Sequence, residues 1–483
     1  MSDNKKVIKA GIGYTVGNYL LKGLSFITIP IFTRIMSTSD YGLYNTYLSY
    51  EALLFVIVGF SFHASLKNAK YKYNERFGSY VSAIVLIQLI SLLCWIIVVN
   101  LFYPFLNDYT DYPRVLIDLL LIYCFATSVI QVYNAYLGLK YEYSSFLKIS
   151  GFNAILNIGI SIFLIMSHVV EAYIGRIIGT VVPAVLISVY IITKLWKKAA
   201  PQINKEFSSF AFSYSLPIIP HGLSQVVLSQ FDRIMIKSLV GNAQAGIYSF
   251  AYNIYSIIFV TTSSTDQVWG PWFYEKMNEG DEKDISEKAH YYTWLIAVIV
   301  SFVILAAPEI VVILGSTAYK EASYTVVPIV ASGFFAFLYT LPVQIEYYYS
   351  KTKLIALATS CAAVVNIILN YFCINRFGYV AAAYTTLVTY VLYFIFHLVI
   401  SYKIMKHMVF SLKSIIGSSL FVLLVSSTAL LFLSNAGVRW ILIVALAIGA
   451  IIYINRKFGI RKILYILKKK YRGANSARTV RLF

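Results

Sequence analysis

Residues 15–47 read TVGNYLLKGLSFITIPIFTRIMSTSDYGLYNTY, and residues 213–254 read SYSLPIIPHGLSQVVLSQFDRIMIKSLVGNAQAGIYSFAYNI. Each stretch is apolar with sparse polar residues, and each ends in related motifs. Thr33-Arg34-Ile35-Met36 returns as Asp232-Arg233-Ile234-Met235 at an offset of 199. Tyr41-Gly42-Leu43-Tyr44-Asn45 returns as Ala245-Gly246-Ile247-Tyr248-Ser249 at 204. A third match follows in order, with Asn153 and Asn157 set against Asn366 and Asn370 at 213. Three matches in chain order imply a duplicated unit. Six helices fall in each unit, an even number, so both units cross a membrane in the same sense, as a parallel repeat with its substrate between the halves.

Composition supplies the membrane. Of the 483 residues 59% are hydrophobic and only 13% charged, with a mean hydropathy of +0.72. Soluble domains carry about 25% charge, so a soluble enzyme, a nucleic-acid-binding protein and a disordered chain are excluded. Apolar runs predict helices at 11–33, 41–64, 79–103, 113–138, 146–168, 171–194, 208–236, 246–270, 290–315, 324–349, 353–375, 379–402, 410–434 and 437–455. The expected fold is thus all-α and polytopic, with fourteen transmembrane helices. The expected division is 1–200, 201–406, a further pair of helices at 407–456, and a basic tail at 457–483.

The net charge of +19 is mainly a topology signal. About 31 of the 40 Lys and Arg fall in alternate loops and the tail, the side that the loop-charge rule assigns to the cytoplasm. Both termini are then cytoplasmic. Within the tail, 461–472 (RKILYILKKKYR) alternates apolar and basic residues and reads as a segment lying on anionic headgroups. Cys94, Cys124, Cys361 and Cys373 lie in apolar runs without metal-binding spacing and read as small buried hydrophobes.

Charge at membrane depth marks function by default. Helix one carries Tyr14, Asn18, Lys22 and Ser25 on one stripe. Helix seven carries Tyr214, Pro217, His221, Ser224, Gln225 and Asp232 on a comparable one. The offset of 199 sets Lys22 against His221, so both stripes are expected to face a cavity between the halves. The bland reading of Lys22 is an ion pair with Glu51 or Glu346. Arg34 and the Asp232–Arg233 pair read either as interfacial anchors or, for the two arginines, as cavity cations. Asp266 and Glu51 are the carboxylates available for ion coupling, with His63 and Arg176 as further polar candidates. The four repeat asparagines read as helix-packing residues. Pro217 and Pro220 weaken helix seven, giving a static kink or a hinge.

Residues 15–47 and 213–254 resemble the openings of the two halves of bacterial oligosaccharide flippases of the Wzx type. These belong to the multidrug/oligosaccharidyl-lipid/polysaccharide exporter superfamily, and the resemblance covers roughly 1–405. It implies a MATE-like fold of two pseudo-symmetric six-helix lobes around a central cavity in the bacterial inner membrane. It also implies transfer of an undecaprenyl-diphosphate-linked oligosaccharide to the outer leaflet by alternating access, for O-antigen, capsule or exopolysaccharide. Membrane lipids, and a polymerase and chain-length protein of the same pathway, are the implied partners, with no cofactor and no nucleic acid. Cavity cations are proposed to meet the diphosphate in such flippases, and Lys22 and His221 stand in suitable places. Helix one lacks the acidic residue that several drug exporters use for coupling. Fourteen helices match peptidoglycan-precursor flippases, whose last pair forms a groove for the lipid tail.

Two alternatives stand beside the flippase. An ion-coupled multidrug or metabolite antiporter of the same fold would use a buried carboxylate such as Asp266 or Glu51. A membrane polymerase or glycosyltransferase would need catalytic groups on a sizeable outer loop, which the short outer loops do not provide. Phosphate-binding motifs for ATP are missing from the sequence.

Overall fold

The computed structural model describes residues 3–110 and 112–458, and these are helical with no strand among them. In chain order the helices are α1 (Asp3–Ile35), α2 (Thr38–Val58), α3 (Leu66–Tyr73), α4 (Phe77–Leu101), α5 (Tyr103–Thr110), α6 (Arg114–Leu139), α7 (Tyr143–Ser167), α8 (Ala172–Lys198), α9 (Lys205–Ser215), α10 (Ile219–Leu239), α11 (Asn242–Glu279), α12 (Glu282–Leu305), α13 (Ala307–Leu314), α14 (Ala322–Leu338), α15 (Thr340–Tyr348), α16 (Thr352–Phe377), α17 (Val380–Met405), α18 (Leu412–Leu431) and α19 (Ala436–Phe458). The basic segment 461–472 and the side chains of Asn18 and Ser25 lie outside the described residues.

Every expected span is helical, but three are broken, each at proline. A proline N–H is missing, so the carbonyl four residues earlier loses its partner and the helix yields there. Helix seven is α9 and α10, separated by a 3₁₀ turn at Leu216–Ile218 that contains Pro217 and precedes Pro220. Pro308 splits α12 from α13, and Pro342 splits α14 from α15. Helix two stops at Val58, short of its expected end. Phe60 and Ser61 take left-handed backbone angles and turn the chain into a 3₁₀ segment, Phe62–Ser65, which holds His63.

Ten helices among the described residues are long and apolar enough to cross a membrane, and the protein is a multi-pass membrane protein. The other four expected spans, carried by α1, α2, α9–α10 and α11, are helical but fall outside those ten. They form two repeat-related pairs, α1 with α9–α10 and α2 with α11.

The repeat extends to packing. In the first lobe α7 packs on α8, α6 on α8, α2 on α6, α1 on α7 and α4 on α6. In the second lobe their counterparts pack likewise: α16 on α17, α14 on α17, α11 on α14, α10 on α16 and α12 on α14. Outside this scheme, α18 packs against α12 and α14, and α19 against α12.

The lobes meet where α2 crosses α11. A Cβ on Gly42 would lie 1.8 Å from the carbonyl oxygen of Asn242, and one on Gly246 would lie 2.0 Å from that of Thr38. The two contacts exchange under the 204-residue offset, so the pseudo-twofold axis passes through this crossing. Small residues let helix backbones approach closely where lipid supplies no hydrophobic drive.

The connections alternate between a basic end of the molecule and an opposite end. At the opposite end Thr33 Oγ1 donates to Leu314 O at 2.8 Å, and Arg34 Nη2 donates to Ile313 O at 3.0 Å. Asn253 Nδ2 donates to Tyr41 Oη at 2.7 Å beside them. At the basic end α9 leans onto the first lobe, where Phe207 packs edge-on against Tyr73 at 4.8 Å between centroids.

The four cysteines are free thiols, but only Cys124 is buried. Cys94 and Cys361 are exposed on helix flanks, which corrects the expectation of four buried residues. In a membrane such flanks face lipid, where a thiol is as acceptable as in a core.

Candidate functional site

Each lobe contains a polar cavity beside the α2–α11 crossing. The first-lobe cavity, of 390 Å³, lies between α1, α2, α7 and α8 and is lined by Asn45, Asn153, Asn157 and Arg176, with Asn253 entering from α11. The guanidinium of Arg176 is its positive charge. Its Nη1 donates to Asn157 Oδ1 at 2.5 Å and to Ser161 Oγ at 2.7 Å. The group lies 3.9 Å from the ring centroid of Phe32 and 4.7 Å from that of Tyr44. Hydrogen bonds fix the fork while two aromatic faces stabilise the cation.

The second-lobe cavity, of 500 Å³, is walled by α10, α11 and the α14–α15 junction. Gln225, Ser229, Gln230 and Arg233 line it from α10, Tyr252, Tyr255, Phe259 and Asp266 from α11, and Tyr339 from the junction. Arg233 lies 4.5 Å from the ring centroid of Tyr252 and donates to Ser229 O at 3.0 Å and to the Gln230 side chain. Asp266 accepts from Gln344 Nε2 at 3.4 Å. Both cavities therefore present one held guanidinium among carboxamides, hydroxyls and aromatic rings.

Asp232, adjacent to Arg233, faces the other way. Its carboxylate accepts from Tyr248 Oη at 2.6 Å, Asn370 Nδ2 at 2.6 Å and Thr386 Oγ1 at 2.8 Å, with Tyr252 Oη at 3.4 Å. It is 1% exposed. Reading it as an interfacial anchor is overturned, since a group with four internal donors and no water is a packing centre. The repeat shows here in altered form. Tyr44 meets Thr180 in the first lobe, whereas in the second Tyr248 and Thr386 have Asp232 between them.

The remaining sequence candidates scatter. Lys22 is exposed, with its ammonium 5.7 Å from the ring centroid of Phe259, at the rim of the second cavity. Among the described residues it forms no ion pair, since Glu51 accepts from Thr127 Oγ1 at 2.9 Å and Glu346 is held by His397 at 2.6 Å. Glu51 sits between α2 and α6, outside both cavities. His221 lines neither cavity and has Nδ1 buried without a hydrogen-bond partner. Arg34 is a fastener between α1 and α13 rather than a cavity residue. Of the repeat asparagines, Asn366, Asn370 and Asn157 join helices, and Asn153 and Asn157 also line the first cavity.

Sequence reasoning underweighted Arg176 and missed the cavity tyrosines. Arg176 carried a usable signal, a lone arginine in an apolar run with an asparagine of α7 for a partner. The tyrosines carried none, because 41 of them are spread along the chain.

Residues 7–277 match the family described as polysaccharide biosynthesis protein. Among curated relatives, the "Lsg locus putative protein 1" of Haemophilus influenzae is 20% identical over 74% of this chain and 89% of its own. An uncharacterized membrane protein of Methanocaldococcus jannaschii is 21% identical over 86% of this chain and 88% of its own. Among solved structures, the lipid II flippase MurJ in an inward closed conformation superposes with a TM-score of 0.74 at 15% identity, covering 94% of this chain and all of that one. An inward-facing multidrug resistance MATE transporter gives 0.60 at 13% identity, over 80% and 95% of the two chains. These structural likenesses show the fold that the MurJ flippase and the MATE transporter share. The family match spans more than half of the sequence, and the chain belongs to the polysaccharide biosynthesis protein family.

Proposed function

We propose that the protein is a flippase that carries an undecaprenyl-diphosphate-linked oligosaccharide from the cytoplasmic to the outer leaflet during surface polysaccharide assembly. The observation that carries this reading is the pair of polar cavities beside one crossing, each with a single fixed guanidinium, and Lys22 at the rim of one. A sugar–diphosphate head cannot shed its water into hydrocarbon. Carboxamides, hydroxyls and aromatic faces replace that water for the sugars, and cations compensate the diphosphate. The lipid tail stays in the bilayer.

In this reading the basic end faces the cytoplasm, and 1–200 and 201–406 are the moving lobes. The pair at 407–456 stands outside them, and the break at Leu216–Ile218 is a hinge as they rock. Lys22, Arg176 and Arg233 are the substrate cations, with Gln225 a sugar contact. Asp266 favours a second reading, an ion-coupled antiporter of small molecules, because it is a carboxylate lining a cavity.

The test is complementation of a bacterial strain lacking its own flippase. Surface polysaccharide is expected to return with the wild type, to fall with Lys22→Ala, to survive largely with Lys22→Arg, and to be lowest with Lys22→Glu, at equal membrane protein level. Failure to restore polysaccharide, together with raised drug resistance, would transfer the assignment to the antiporter.

A further inference from the structure

Glu346 of α15 and His397 of α17 are both 0% exposed, and Glu346 Oε1 meets His397 Nδ1 at 2.6 Å. Neither group faces lipid, loop or either cavity. The outward atoms of the pair, Glu346 Oε2 and His397 Nε2, are buried with no hydrogen-bond partner. An unpaired buried polar atom is costly. Here the dyad is closed on its inner side and open on both outer sides.

The surroundings place it one ring from the second cavity. Tyr339, which lines that cavity, has its ring 5.9 Å from His397 and 4.6 Å from Tyr393, which in turn lies 4.6 Å from His397. Tyr339 is also the junction between α14 and α15, the break that Pro342 imposes. Any change of angle there moves the lid over the dyad. The titratable groups facing the pair among the described residues are Tyr339 and Tyr347 from this segment and Tyr393 from α17. Asp266 of α11 acts on Tyr339 and Tyr347 from the cavity side. From α16, Thr359 hydrogen-bonds Tyr393 at 2.8 Å and does not titrate.

We propose that Glu346 and His397 form a proton-binding site that couples proton exchange to the movement of the two lobes. In the present conformation the pair holds one proton between Oε1 and Nδ1 and is neutral overall as a unit. Removing that proton would leave a lone carboxylate in an apolar interior, which is strongly disfavoured. Release therefore waits until Tyr339 moves and water reaches Oε2 or Nε2. The N–H or O–H bond then breaks, the proton passes to water, and the ionised pair is solvated. Rebinding from water on the other face reverses the step. The site deepens the transporter reading by naming its driving ion. Its test reads protons and lobes rather than cargo, so it stands or falls apart from the oligosaccharide assignment.

The experiment uses the purified full-length chain with Cys94, Cys361 and Cys373 replaced by serine and spin labels on Val169→Cys and Phe377→Cys. These are exposed positions on equivalent loops of the two lobes. The distance distribution is recorded from about pH 4 to about pH 10, a range covering carboxyl and imidazole titration. The wild type is expected to shift between two populations with the slope of a single proton. Glu346→Gln and His397→Gln, checked for monodisperse elution, are each expected to lose that step. A wild type whose distances ignore pH overturns the proposal without any variant. So does a Glu346→Gln or His397→Gln protein that keeps the wild-type step.

Discussion

Arg176 holds its charge by two hydrogen bonds and two rings, and that arrangement says what its loss costs. In the flippase reading, a charge-assisted hydrogen bond from that guanidinium to a diphosphate oxygen contributes about 1.5–3 kcal/mol, and about 1.4 kcal/mol is a tenfold change. Arg176→Ala is expected to lower polysaccharide export in the complementation assay by about ten- to a hundredfold at unchanged protein level, because removing a charge at membrane depth does not destabilise insertion. Arg176→Lys keeps the charge and a donor for Asn157 and Ser161 but loses the flat guanidinium face against Phe32 and Tyr44, and is expected to fall between. Unchanged export in Arg176→Ala would remove this residue from the substrate path. At the basic end, His407 Nε2 meets Glu282 Oε2 at 2.5 Å, and that contact raises the imidazole above its usual range. A raised folded-state value means the pair stabilises below the ordinary titration of histidine, and the gain is lost as pH rises through the folded one. The melting temperature of His407→Gln is thus expected to lie below that of the wild type near pH 6 and to converge with it in alkali. A gap of the same size at both pH values would assign it to packing. Residues of this kind were only half legible. The sequence shows that Lys22 is a charge at membrane depth, but whether its ammonium meets Glu51, Glu346 or Phe259 is decided by helix rotation, which a stripe of polar residues does not fix.

Helices were the more legible scale, because an apolar run of about 20 residues is constrained by bilayer thickness alone. The breaks were less so. Pro217 and Pro220 announced theirs, whereas Pro308 and Pro342 lie in the last third of their spans, and Pro328, in the same span as Pro342, sits inside an unbroken α14, so a neighbouring helix decides between a kink and a full break. The tyrosine-lined wall at Tyr339 follows from the second outcome. The weak repeat at 204 turned out to carry the strongest geometric statement in the chain, the mutual approach of Gly42 and Gly246 to each other's helix backbone. Neither backbone can move aside as a side chain would. Gly42→Ala and Gly246→Ala are each expected to force α2 and α11 apart and to cost about 1–3 kcal/mol, the usual toll of overpacking. Gly138→Ala, with nothing within 4 Å of the added carbon, is the matched control. Thermal unfolding in detergent measures the difference, and equal melting of Gly42→Ala and Gly138→Ala would show that the crossing is looser than drawn.

For the whole molecule, in the proposed transport cycle the contacts between lobes at the opposite end set which way the cavities open. Thr33 and Arg34 bond the last carbonyls of α13, and a cation at a helix C-terminus is favoured by the helix dipole as well. The same short helix is gripped from behind, since Arg439 of α19 donates to Glu309 Oε1 at 2.5 Å and is itself only 3% exposed. So α13 ties α1 of the first lobe to the extra helix pair, although these belong to different parts of the chain. None of this was visible in the sequence, where Glu309 stands 275 residues after Arg34 and 130 before Arg439. Rocking that opens the cavities toward the opposite end has to break the α1–α13 bonds. Those bonds therefore stabilise the present conformation relative to its alternate. Arg34→Ala removes one charge-assisted hydrogen bond, worth about 1.5–3 kcal/mol, enough to shift the population ratio by roughly ten- to a hundredfold. The distance between labels at Val169→Cys and Phe377→Cys is expected to gain a longer component in Arg34→Ala. Thr33→Val, which deletes the donor to Leu314 while keeping the shape, should add to it. If the longer component is absent from both variants and from their combination, α13 is a bystander and the seal lies with the α2–α11 crossing alone.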